Sequence, residues 1–142
     1  MFKSLWSARH ENAAVILLRW SLAVIFIWFG LIKVSGYNLV FDLVNSVVPS
    51  MATGTGFLFL GLIEVVIGMG LLINRWRLAV TAILVVHLAG TFVTFFTAPG
   101  LMFEPHFPIL TLAGEFVIKN LTLAIAGIVV LIHEAHRDRS GR

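Results

Sequence analysis

Cysteine is absent from the chain's 142 residues. That absence excludes disulfide bridges, thiolate metal sites and thiol–disulfide exchange within it. Charge is scarce as well, at 12% of residues, about half the usual share of a soluble domain. The four prolines stand at positions 49, 99, 105 and 108 and interrupt none of the longest apolar runs. Lysine and arginine are missing altogether from 35–55 and 99–108. The formal net charge of +3 comes from scattered or terminal cations, with no basic patch to track a phosphate backbone, so nucleic acid is not an expected partner.

What is present is hydrocarbon. Apolar residues make up 59% of the chain and its mean hydropathy is +1.00. Four apolar runs, about 13–34, 56–73, 78–98 and 109–132, are each long enough to cross a bilayer core. The expectation is an all-α integral membrane protein, a single membrane domain over 1–142 built as a four-transmembrane-helix bundle with a tail at 133–142. The opening residues lack the layout of a cleaved leader, and the first run carries Arg19, so it is read as a retained span.

The cations set the expected orientation. Lys3 and Arg9 precede the first run, Arg75 and Arg77 separate the second and third, and Arg137, Arg139 and Arg142 follow the fourth. By the positive-inside rule both termini are cytoplasmic and the two cation-free connections face outward. In the first outer connection, Tyr37, Val40, Phe41, Val44, Val47 and Val48 recur at helical spacing opposite Asn38, Asp42, Asn45 and Ser46. This predicts a short amphipathic helix ending near Pro49. The second outer connection, stiffened by three prolines and rich in apolar residues, is expected to pack over the outer mouth of the bundle.

Each run carries a polar or small-residue stripe. Arg19, Ala23, Phe26, Gly30 and Lys33 share one face of the first, and Phe57, Gly61, Glu64 and Gly68 one face of the second. The third offers His87, Thr91, Thr94 and Ala98. The fourth offers Thr111, Glu115, Lys119 and Thr122, with Glu115 and Lys119 as an i,i+4 pair. At about 1.5 Å per residue, Glu64 and Lys119 fall at comparable depth, Glu115 falls nearer Lys33, and Arg19 lies deeper but within stretching distance of Glu64. The expected result is a buried network of Arg19, Lys33, Glu64, Glu115 and Lys119 with His87 beside it.

Two readings of that network stand side by side. The charges neutralise one another and fix helix register, or they line an outward-opening cavity for a polar ligand, a quinone head group or a proton. His87 alone reads most simply as a histidine bonded to a neighbouring helix. His133, Glu134 and His136 read as a solvated helix end rather than a metal site, and His106 as interfacial. Haem ligation is excluded because His87 is the one deep histidine. No nucleophile with a positioned base is evident, so catalysis is disfavoured.

Three segments in order resemble the DoxX-like membrane protein superfamily, on the side of its YkgB/RclC (reactive-chlorine resistance) branch. They are LRWSLAVIFIWFGLIK at 18–33, GLIEVVIGMGLL at 61–72 and FPILTLAGEFVIKN at 107–120. The likeness covers about 15–132, and the chain departs from the branch in a shorter first outer loop and in an acidic Glu115. The resemblance implies a bacterial inner-membrane bundle linked to redox or oxidative-stress metabolism. It would act as an accessory subunit beside a redox enzyme, with a quinone as the one cofactor in view. Arg19, Lys33, Glu64 and Lys119 match its polar positions. A small transporter or proton-conducting component, and a purely structural partner-docking bundle, are the alternatives. The glycine-lined face of the second run also fits self-association.

Overall fold

The computed structural model describes the backbone at 2–37 and 39–140 and the side chains at 11–37 and 39–136. The described residues form seven α-helices: α1 (Phe2–Val34), α2 (Phe41–Val47), α3 (Gly54–Ile73), α4 (Arg77–Phe92), α5 (Thr94–Thr97), α6 (Pro99–Met102) and α7 (Leu112–Ser140). A single 3₁₀ turn at Pro49–Met51 joins α2 to α3.

Four segments are long and apolar enough to cross a membrane: Glu11–Val34, Gly54–Ile73, Arg77–Thr97 and Leu112–His136. The third is broken at Val93, whose N–H turns back to the carbonyls of Gly90 and Thr91. The fourth begins later than its apolar run. The Thr111 hydroxyl accepts from Gly114 N–H and donates to the Leu101 carbonyl, so Thr111 caps the helix. The residues just before it fold back on α6, where Thr111 N–H reaches the Met102 carbonyl. Large apolar side chains such as Leu17, Val24, Trp28, Val66 and Val86 face outward, as the lipid-facing wall of a membrane protein requires.

α1 and α3 form the tightest pair, and glycine makes the approach possible. A Cβ on Gly61 would lie 2.7 Å from the Gly30 carbonyl oxygen, and one on Gly30 would lie 2.6 Å from the Gly61 oxygen. One on Gly68 would lie 2.8 Å from the Ala23 oxygen. Backbone therefore meets backbone at both levels, the small-residue packing of membrane helices. Leu22, Ala23 and Phe26 of α1, Ile67 and Leu71 of α3, Val80, Leu84 and Leu88 of α4 and Val130 of α7 fill the centre.

α3 and α4 are joined by a tight turn. Asn74 takes the left-handed conformation and its N–H closes on the Gly70 carbonyl, a helix end that asparagine tolerates better than most residues. The two longer connections cover the opposite end. α2 turns Leu43, Val44 and Val47 inward and leaves Asp42 and Asn45 exposed, while Phe41 stacks on Phe57 at 6.1 Å. Met102 of α6 is fully buried, and Phe103 meets Phe95 and Phe107.

The glycine seam makes a direct prediction. Gly61→Ala forces a methyl group against the α1 backbone and is expected to cost about 1–3 kcal/mol, read as a lower unfolding midpoint in detergent. Gly90→Ala, where nothing lies within 4 Å of the added Cβ, should be neutral or stabilising by up to about 1 kcal/mol.

Candidate functional site

The close α1–α3 approach brings Lys33 over Glu64. Lys33 Nζ donates to Glu64 Oε2 at 2.7 Å and to Oε1 at 3.0 Å. His87 of α4 places Nε2 2.9 Å from the same Oε1. An ionised carboxylate only accepts, so Nε2 carries the proton of that bond. Glu64 is 7% exposed as a residue, so three elements converge on one shielded carboxylate. Charge-assisted bonds to both of its oxygens offset the cost of removing it from water. Phe26 packs edge-on against the His87 ring, and Lys33 Nζ sits 5.9 Å from the centre of the Phe29 ring.

This triad borders a cavity of about 310 Å³. Ile25, Phe26 and Phe29 of α1, Leu88 of α4, and Phe116 and Leu123 of α7 supply apolar walls. Val40, Leu43, Val44, Val47, Val48 and Met51 close it from the α2 side. A second polar group lies on the α4–α7 side, made by Thr91, Thr94 and Asn120. Asn120 Nδ2 donates to Thr91 Oγ1 at 3.0 Å, and Thr91 in turn donates to the Leu88 carbonyl at 2.7 Å. The volume is at the lower end of small-molecule sites, and apolar walls with a few converging polar groups are their usual lining.

The other expected members of the network lie elsewhere. Arg19 does not reach Glu64. Its Nη1 donates to the Leu71 carbonyl at 3.0 Å and its Nε lies 3.4 Å from Glu134 Oε1. Arg77 Nη1 holds the other oxygen of Glu134 at 3.2 Å. This second cluster knits α1, α3, α4 and α7 at the end of the bundle opposite α2, and His133 Nε2 adds a bond to Asn12 Oδ1 at 2.7 Å. Glu115 and Lys119 do pair, at 3.0 Å, but with side chains 52% and 71% exposed they stand on the outside of α7. Neither meets Lys33 or Glu64.

The reason is helical register. The inward face of α7 is Val117, Asn120, Gly127, Val130 and Glu134, all buried, and Lys119 is one residue, or about 100°, away from Asn120. Glu134 is 1% exposed rather than solvated. Continuing the Asn120–Gly127–Val130 spacing by one turn beyond Val130 would have found it. Thr94 was within the expected polar stripe, whereas Asn120 was hidden beside a more conspicuous charge. Among the described residues no three of His, Asp or Glu converge as metal ligands.

Comparison with family models, curated proteins and solved structures gives no match to this chain. Its chemistry is therefore read from the site itself. Lys33 and Glu64 oppose one another in charge, leaving a floor with hydrogen-bonding capacity under an apolar chamber.

The ion pair is testable by a double-mutant cycle. Lys33→Met or Glu64→Gln alone leaves a shielded charge without its counter-charge and is expected to cost about 3–5 kcal/mol. The double variant should recover much of that loss. Denaturant unfolding in mixed micelles checks it, with additive losses as the contrary result.

Proposed function

We propose that this protein is a small inner-membrane bundle of DoxX-like type that binds a neutral, lipid-soluble small molecule in the α1–α3–α4–α7 cavity. A quinone-like compound is the leading class. The observation that carries this reading is the pairing of an apolar chamber with the Lys33–Glu64–His87 floor. A membrane-soluble molecule can enter from hydrocarbon, and its polar head finds partners that hydrocarbon cannot supply. Lys33 has three N–H groups and Glu64 offers it two acceptor oxygens. A third N–H is left for a carbonyl oxygen of the guest.

The same reading sets both termini on the cytoplasmic side of a bacterial plasma membrane, with α2 and α6 outside, because the cations gather at the terminal end. On the resemblance to DoxX-like proteins, the bound molecule connects the bundle to a redox enzyme as an accessory subunit. A proton or ion relay through Glu64, His87 and Lys119 is less well supported, since Lys119 stands outside the cavity, paired with Glu115.

Titration of a short-chain benzoquinone into the purified protein in micelles tests the proposal. Saturable binding is expected for the wild type, weakened at least about tenfold (about 1.4 kcal/mol) in the Lys33→Met/Glu64→Gln double variant. Equal, non-saturating partition into both proteins is the result against it.

A further inference from the structure

The α4–α7 wall of the cavity holds two polar atoms with nothing to bond. Thr91 donates its hydroxyl proton to the Leu88 carbonyl, so its oxygen is left only as an acceptor. That fixes Asn120, whose amide must turn Nδ2 toward Thr91 and Oδ1 away from it. Asn120 is 3% exposed, and its Oδ1 accepts no hydrogen bond among the described residues. Thr94, one helical turn along the same wall and fully buried, has an Oγ1 with no partner at all. Buried polar atoms are nearly always satisfied, and an unpaired one is costly. Thr94 Oγ1 is such an atom. Asn120 Oδ1, on the same chamber wall, is an acceptor with no partner among the described residues, so the wall is set for a donor that arrives with the ligand.

The two sides of the chamber ask for different chemistry. Lys33 can only donate, so it serves a ligand oxygen whether that oxygen is a carbonyl or a hydroxyl. Asn120 Oδ1 can only accept, and its orientation is held by Thr91. Facing a ligand carbonyl it would meet another acceptor, and facing a hydroxyl it meets a donor. We infer that Asn120 forms a hydroxyl-recognising subsite beside Thr94, whose own hydroxyl serves either form, and that the cavity therefore favours the hydroxyl-bearing, reduced member of a quinone-like pair. This rests on the binding reading above and adds to it which ligand form is held and which residues discriminate.

The test compares a short-chain benzoquinone with its hydroquinone, titrated anaerobically into wild type, Asn120→Leu and Thr94→Val. In the wild type the hydroquinone is expected to bind about tenfold more tightly, the scale of one well-made hydrogen bond to a buried acceptor. Asn120→Leu should remove that preference by weakening the hydroquinone while leaving the quinone within about twofold. Thr94→Val should weaken both forms by a similar, smaller factor, because the Thr94 hydroxyl can donate or accept. The substitution breaks no bond within the protein and removes an unpaired hydroxyl, so its unfolding midpoint should match or exceed the wild type. Thr91→Val, titrated in the same way, frees the Asn120 amide to turn and should abolish the preference, and it carries the test if Asn120→Leu folds poorly.

Equal wild-type affinity for the two forms overturns this inference and leaves the binding reading standing, as does an equal loss for both forms in Asn120→Leu. A clear drop in the Thr94→Val midpoint also overturns it, because the hydroxyl would then serve the fold. If the wild type binds neither compound, both readings fall together.

Discussion

The backbone contact between α1 and α3 is the constraint from which the site follows. Gly30 and Gly61 let the two helices meet carbonyl to Cα, and that closeness sets Lys33 directly over Glu64. A larger residue at either position would lift the ammonium away from the carboxylate. A membrane interior offers no water to take its place. Packing and electrostatics are thus one feature: the glycines lower the cost of the ion pair, and the ion pair fixes which faces of α1 and α3 meet. His87 then attaches α4 to the same carboxylate.

The bundle carries its buried carboxylates at two levels, and they differ in kind. Glu134 is enclosed by Arg19 and Arg77, from α1 and α4, and does not itself line a cavity; the hollow that Arg77 borders with Trp76, Leu78, Leu131 and Ala135 is an open surface depression. It acts as a clasp between helices that are far apart in the chain. Glu64 is equally well bonded but borders empty space, with apolar walls and further polar groups across from it. A structural clasp needs no chamber. The contrast between the two clusters is the best physical ground for assigning binding to one and cohesion to the other.

Much of this was legible from composition and spacing. Four apolar runs of spanning length, the glycine and glutamate stripe of the second run, and the Arg19–Lys33 face of the first reflect strong signals. A charge inside a helix that faces lipid must turn inward, and a glycine pair marks a close approach. The fourth run misled because α7 is apolar almost all round, so the eye follows its charges. Glu115 and Lys119 sit in its first two turns, where exposed charges are tolerated near a helix end. The inward face is marked instead by uncharged Asn120 and by Glu134 beyond the end of the apolar run. Pairing of Arg19 with Glu134 rather than Glu64 was equally hidden, since it depends on α7 continuing as a helix through 134.

A binding site at the Glu64 cavity, with the Glu134 cluster serving cohesion alone, should leave a ligand on the purified protein. Native mass spectrometry of the protein extracted gently from its membrane tests this most directly. One small neutral molecule bound per chain is expected, lost when Leu88→Trp fills the chamber and retained when Arg77→Lys perturbs the other cluster. Protein that carries only phospholipid, with no difference between wild type and Leu88→Trp, would contradict it.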